Sequence, residues 1–466
     1  MRNLSEKIFS IKGFKFTGKL SFRKLNILLL LFQLISLFLV FFANNKTADQ
    51  NKTVFAVFLI FAVFLSNIII QKYFEGDKYI MLIATMLFSI GVIIIYRLNF
   101  IYGIRQMIWF SVGIISFYIT YFILRFIKNW NRYFWFYIGL CFFLFGITLV
   151  FGKRESGAIN WLRFGSFSFQ PSEITKIAMI FVMASYYTNK EKYQKIKIFN
   201  IPAGKYILTL IIYVFMALLF IQRDLGTAAI MYGTYIFILY VYGDSKLDVV
   251  INLFLAIIGS FAGFKLFTHV RARVYIWLDP WKYIDDKGYQ IVQSLFSIGS
   301  GGFFGTGIGL GKPDYIPLAH SDFIFASICE EMGIFIGIAV MMLFLIIVYR
   351  GYKISISQKN EFFKIVAFGI TTSFALQAFI VIGGVIKFIP MTGATIPFLS
   401  YGGSSILSSF ISLAVLQYTS PAFPGGGGTG ARGDPAGAPE HPPWEPPCPG
   451  RRGSPSSTPS PGAWSA

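Results

Sequence analysis

Twelve apolar runs divide the chain, at about 25–43, 54–71, 79–96, 107–125, 133–151, 173–188, 206–221, 225–242, 248–268, 323–349, 363–385 and 395–418. The hydrocarbon core of a bilayer is about 30 Å thick and takes roughly 20 apolar residues as a helix. A helix satisfies its own backbone hydrogen bonds there. Runs of this length and number predict an all-α polytopic membrane protein with about 12 transmembrane helices. Composition agrees, since 55% of residues are hydrophobic and 13% charged, more apolar than a soluble surface carries.

The formal net charge of +20 invites a nucleic-acid reading. The Lys and Arg residues, however, sit in short clusters between apolar runs, as topology-setting loops do. With the N-terminus inside, the inner loops hold Arg125, Lys128 and Arg132, then five lysines between 190 and 205, then Arg350, Lys353, Lys359 and Lys364. The short outer loops hold fewer. This bias predicts both termini in the cytoplasm and the long 269–322 loop outside. Three scattered cysteines and three histidines imply neither a disulfide framework nor a zinc site.

Three segments follow from charge and composition. Residues 1–24 are a basic cytoplasmic N-terminus ahead of an uncleaved first span. Residues 25–419 form the membrane domain. Residues 420–466 carry twelve of the nineteen prolines and a Gly425–Gly428 run. That tail is expected to be disordered, and its change of composition suggests a coding origin foreign to the rest of the chain.

Charge appears at the outer ends of three segments: Glu173 and Lys176 at segment six, Arg223 and Asp224 at segment eight, and Asp322, Glu330 and Glu331 at segment ten. All lie at the ends expected to face outward. Ionisable groups at membrane depth are costly and usually functional, and helix N-termini favour anions such as phosphate. The spacing of Glu173 and Lys176 also fits a plain intrahelical ion pair. Glu330 and Glu331 also fit packing partners for basic residues of other helices. Asp322 has no basic partner nearby in sequence. The glycine-rich run Gly299–Gly311 lacks the Ser or Thr after Gly311-Lys312 that a P-loop needs, and contains no G-x-G-x-x-G. It reads as a backbone-exposing loop near a ligand.

Six motifs occur in order: Gly157-Ala-Ile-Asn-Trp161 with Phe167-Ser-Phe-Gln-Pro-Ser-Glu-Ile-Thr-Lys176; Gln222-Arg-Asp-Leu-Gly-Thr-Ala228; Gly288-Tyr-Gln-Ile-Val-Gln-Ser294; Ile298-Gly-Ser-Gly-Gly302; His320-Ser-Asp-Phe-Ile-Phe325 with Glu330-Glu-Met-Gly333; and Pro390-Met-Thr-Gly-Ala-Thr-Ile-Pro-Phe-Leu-Ser-Tyr-Gly-Gly-Ser-Ser405. The chain thereby resembles the SEDS proteins, the group of FtsW, RodA and SpoVE. The resemblance implies a peptidoglycan glycosyltransferase of the bacterial cytoplasmic membrane. It would polymerise lipid II, an undecaprenyl-diphosphate-linked glycan, in division, elongation or sporulation, with its active site outside the cytoplasm. A class B penicillin-binding transpeptidase and other division or elongation proteins are the implied partners. Segments before residue 79 read as an addition to a ten-helix core of the family type. Asn160 stands where many members have arginine, and Arg223 where proline is common.

The resemblance places the catalytic carboxylate at Asp322, as general base toward a sugar hydroxyl. Substrate-binding or supporting roles fall to Trp161, Arg163, Glu173, Lys176, Arg223, Asp224, Arg271, Arg273, Gln293, Lys312, His320, Glu330 and Ser400. A lipid diphosphate leaving group needs positive charge, for which Arg154, Arg163, Arg223, Arg271, Arg273 and Lys312 are candidates. A divalent cation, Mg or Mn, would suit the same chemistry, but the sequence offers no ligand set for it. Two other classes fit the span count: a lipid II transporter (flippase), and a non-catalytic scaffold of the division or elongation machinery. A transporter is expected to carry its ionisable groups near the bilayer midplane, whereas here they cluster at one face.

Overall fold

The computed structural model describes residues 22–43, 50–155, 158–165, 167–195, 204, 206–286 and 288–421. The N-terminus before residue 22, Gly157, part of the lysine-rich 190–205 loop, the side chain of Arg154 and the tail from residue 422 lie outside the described residues.

The helices are α1 (Phe22–Ala43), α2 (Gln50–Tyr73), α3 (Tyr79–Leu98), α4 (Phe100–Phe126), α5 (Phe134–Phe151), α6 (Ser172–Thr188), α7 (Lys190–Gln194), α8 (Ile207–Gln222), α9 (Leu225–Tyr242), α10 (Lys246–Leu266), α11 (Thr268–Leu278), α12 (Tyr289–Gly301), α13 (Ile324–Ser357), α14 (Glu361–Val385) and α15 (Gly403–Thr419). Among the described residues nine of these are long and apolar enough to cross a membrane: α1 to α5, α9, α10, α13 and α14. Helices α6, α8 and α15, of 17, 16 and 17 residues, occupy the remaining expected segments. The protein is a multi-pass, helical membrane protein.

Helix boundaries follow local chemistry. Asn99 caps α4 by accepting from the N–H groups of Ile101 and Tyr102 at 2.9 and 3.2 Å, and Asn360 caps α14 through Phe362 and Phe363. Although Arg223 stands where proline is common, the helix still breaks there: Arg223 adopts φ +60°, α8 stops, and α9 starts two residues later.

Three features depart from the expected pattern. Residues 153–169, between α5 and α6, form a small antiparallel sheet of β1 (Lys153–Glu155), β2 (Ala158–Phe164) and β3 (Phe167–Phe169). Segment twelve does not begin as helix at 395; residues 390–396 carry no secondary structure and α15 starts at Gly403. Pro397 disfavours helix at residue 396, and the left-handed backbone of Phe398, φ +65°, interrupts any turn that would follow it. Within α13 the backbone leaves helical geometry at Gly333, φ +84°. A side chain there would collide with the Phe303 carbonyl at 2.4 Å.

The core is aromatic as well as aliphatic. Phe110 stacks on Phe88 at 3.7 Å and meets Phe410 edge-on at 5.2 Å, joining α3, α4 and α15. The α1–α2 pair is fastened to α3 and α4 by hydrogen bonds inside the membrane layer: Gln33 to Ser89 at 2.6 Å, Asn67 to Thr85 at 3.4 Å, and Ser66 with Tyr118 at 2.9 Å.

Candidate active site

At one end of the bundle α3 ends, α4, α6, α9, α13 and α15 begin, and the non-spanning α11 and α12 lie. Two irregular segments meet there. The turn before α13 carries His320, Ser321 and Asp322; the segment before α15 carries Thr392 to Tyr401. The Tyr401 N–H donates to the His320 carbonyl at 2.9 Å. Buried Ser400 donates to the Ser321 carbonyl at 2.7 Å and accepts from the Ile396 N–H at 2.9 Å. Gln106 of α4 donates to the Ser400 carbonyl at 2.9 Å. The turn bearing Asp322 is thus clamped against α4 and the 392–401 segment.

Gly393 marks the centre of this junction. A Cβ placed on it would lie 3.4 Å from Arg273 Nη2 and 3.6 Å from Asp322 Oδ2. The carboxylate and the guanidinium therefore converge on the same glycine, whose φ of +75° favours that residue type. Arg273 is presented by α11 and anchored by donating to the Thr392 carbonyl at 2.6 Å. Burial pushes the Asp322 carboxyl up from the ordinary carboxylate range, opposed by the Ser321 hydroxyl and the Arg273 charge. Burial lowers Arg273, while Asp322 and Asp224 favour its charged form. His320, lowered by burial, packs against Tyr102 at 4.6 Å and Tyr401 at 5.5 Å.

Asp224 does not leave the α9 N-terminus open for an anion. Its own carboxylate caps that helix, accepting from the Thr227 N–H at 3.2 Å and hydroxyl at 3.0 Å. It also accepts from Asn160 of β2 at 3.2 Å, Gln170 at 3.1 Å and Ser172 at 3.4 Å. So saturated, it ties the sheet and the start of α6 to α9, and Asn160 serves that link in place of an arginine.

Glu173 and Lys176 form the intrahelical ion pair that their spacing allows, at 3.0 Å and buried. Glu173 also accepts from Ser408 at 2.7 Å, and Lys176 donates to Gln377 at 3.0 Å. The pair reaches the Asp322 junction through Gln377 and Thr395, not by direct contact.

The glycine-rich loop wraps carboxylates of the protein itself. Thr306 and Gly307 donate their N–H groups to the Glu330 and Glu331 carbonyls at 2.9 and 3.0 Å, and the Lys312 N–H donates to Glu330 Oε1 at 2.7 Å. Arg97 of α3 approaches Glu331 at 2.6 Å and Asp314 at 2.8 Å. Glu330 and Glu331 thereby hold packing together beneath the loop.

Other expected residues stand apart. Arg271 is exposed and bonds the Lys265 carbonyl at 2.7 Å; Arg223 lies over the Phe267 ring at 5.6 Å. Arg163 and Lys312 are exposed, while Trp161 and Gln293 are half-buried on β2 and α12. Sequence reasoning did not single out Gly393, Gln106, Gln377, Tyr102 or Tyr401 for the site, nor Arg97 for the carboxylate cluster. Gly393 and Tyr401 lay inside a quoted motif. The others are ordinary helix residues whose partners are far away in sequence. Among the described residues no three His, Cys, Asp or Glu side chains converge as a metal would require.

A model of the family described as "Cell cycle protein", comprising FtsW, RodA and SpoVE, matches residues 77–421. The peptidoglycan glycosyltransferase RodA of Mycobacterium leprae is 34% identical over 365 residues, 73% of this chain and 77% of the relative. Stage V sporulation protein E of Bacillus subtilis is 33% identical over 360 residues, 73% and 95%. Among solved structures, a chain from a peptidoglycan synthase complex that coordinates polymerization and crosslinking superposes with a TM-score of 0.60 at 22% identity, covering 74% of this chain and 97% of that one. Rod shape determining protein RodA of Thermus thermophilus gives 0.53 at 20% identity, with 74% and 97% covered. At these identities the structures speak for the fold.

Proposed function

The chain belongs to the FtsW, RodA and SpoVE family, and from that membership we propose that it is a peptidoglycan glycosyltransferase that polymerises lipid II into glycan strands. The convergence of Asp322 and Arg273 on Gly393 carries the reading. In the reaction the 4-hydroxyl of an acceptor N-acetylglucosamine gives its proton to the Asp322 carboxylate. The freed oxygen bonds to the anomeric carbon of the donor, and the bond from that carbon to the lipid diphosphate breaks. One displacement turns an α-linked donor into a β-linked product.

A carboxylate whose pKa is raised by burial is a stronger base than an exposed one, which suits it to a weakly acidic hydroxyl. Arg273 is the cation placed to meet charge developing on the diphosphate. Its Nη1 is held by the Thr392 carbonyl, while Nη2 is the atom nearest Gly393. Arg271 and Arg223, engaged elsewhere, suit that role less.

The positive-inside bias supports a site on the outer face with both termini in the cytoplasm. Likeness to a chain of a synthase complex that joins polymerization to crosslinking supports a transpeptidase of the penicillin-binding class as partner. The test is to supply the purified protein and its cognate transpeptidase with labelled lipid II and to analyse the products. Glycan strands are expected. Unpolymerised lipid II moved across a vesicle membrane would instead support the transporter reading.

A further inference from the structure

We propose that Gln377 of α14 is a positioning residue that couples the buried Glu173–Lys176 pair to the segment lining Asp322; the inference rests on the transferase reading above. Gln377 is buried and its amide is held at both ends. Its Oε1 accepts from Lys176 Nζ at 3.0 Å, and its Nε2 donates to the Thr395 carbonyl at 2.8 Å. These partners fix the amide's orientation, because the flipped form would set NH2 against an ammonium and one carbonyl oxygen against another.

Apart from Gln377, Thr395 is held by its own hydroxyl, which donates to Ser405 Oγ at 2.8 Å. Residues 390–396 carry no secondary structure. Within them the Thr392 carbonyl is held by Arg273 and the Thr395 carbonyl by Gln377, with Gly393 between. One residue beyond Thr395, the Ile396 N–H goes to Ser400, which in turn holds Ser321 beside Asp322. The amide on the Thr395 carbonyl, together with the Thr395–Ser405 hydroxyl contact, therefore sets the far end of the span on which Asp322 and Arg273 converge.

The surroundings make this link dependent on the ion pair. A small cavity beside Glu173 and Lys176 is lined by Ser373, Ser409 and Ser412 as well as Gln377 and apolar side chains. Without its glutamine partner the Lys176 ammonium can turn into that cavity, and the Thr395 carbonyl loses its donor. Without Lys176, Gln377 loses the contact that fixes its amide, and the same carbonyl loses a defined donor.

The experiment compares Gln377→Leu, Gln377→Glu, Lys176→Met and the Lys176→Met/Gln377→Leu double variant in lipid II polymerisation by the full-length protein. Melting and elution in detergent monitor folding. Misplacement of reacting groups by about 1 Å costs on the order of a hundredfold in rate. Gln377→Leu is therefore expected to lower kcat by about ten- to a hundredfold, with KM for lipid II little changed. The double variant should lose no more than the worse single one, because both cut the same connection. Gln377→Glu keeps the acceptor for Lys176 but turns an oxygen toward the Thr395 carbonyl, so it should fold and lose kcat as well. Wild-type kcat in either Gln377 variant, a loss confined to KM, or losses that multiply in the double variant would overturn the inference. A wild-type protein that makes no strands would overturn the transferase reading beneath it.

Discussion

Asp322 lies between Ser321, whose carbonyl is clamped by Ser400, and Phe323, which is fully buried. Its carboxylate is therefore set by neighbours on both sides while one edge stays open. Because burial raises its pKa and Arg273 opposes the rise, the group must lose its proton before it can act as a base. Polymerisation should rise with pH through a limb above the ordinary carboxylate range. Replacing Arg273 with methionine removes the charge that favours ionisation, so the limb should move to higher pH. A pH–rate profile checks this, and a limb that stays put or moves down would detach Arg273 from Asp322. Gly393→Ala makes a separate prediction. At φ +75° an alanine costs about 1–2 kcal/mol, and its methyl would press on both groups, 3.4 Å from Arg273 Nη2 and 3.6 Å from Asp322 Oδ2. Strand formation should fall sharply with only a modest drop in Tm, and normal activity would show that the glycine is incidental. Asp322 could be found in sequence because its motif is local. Arg273 could be listed but not chosen, since only the fold shows which of several arginines faces the carboxylate.

At the scale of elements, the same end of the bundle is built from caps, turns and one small sheet. Length and hydrophobicity gave the helices away, but the sheet was hidden: β1 and β3 have three residues each, too few for an alternating pattern to register. The α13 break was hidden too, because Gly333 sits inside the long apolar run of segment ten, which only Glu330 and Glu331 interrupt. That break is where the glycine-rich loop folds over Glu330 and Glu331, with Arg97 facing Glu331 from α3. Arg97 looked like a loop charge in sequence. Its side chain is 13% exposed and that of Glu331 is 0% exposed. Truncating one partner of a buried pair typically costs about 3–5 kcal/mol. Arg97→Met is thus expected to lower stability by about that much, read as a fall in Tm in detergent, and an unchanged Tm would mean the pair contributes little.

At the scale of the whole molecule, helices α3 to α15 fall within the residues matched by the family model, while α1 and α2 precede them. That pair meets α3 and α4 through the polar side chains of Gln33, Ser66 and Asn67 and exposes apolar ones such as Leu28, Ile35 and Phe61. The positions of the apolar helices and their approximate limits were legible from the apolar runs. How the charged ends assemble was not, because Asp224, Glu173, Glu331 and Asp322 each find partners on other elements. The proposed role of the assembly depends on one carboxylate. The most direct measurement is glycan-strand formation from lipid II by the wild-type protein and by Asp322→Asn, with both shown to be equally folded. Strands from the wild type and none from Asp322→Asn are expected. Equal strands from both would contradict the account and leave Asp322 as a structural residue of the turn before α13.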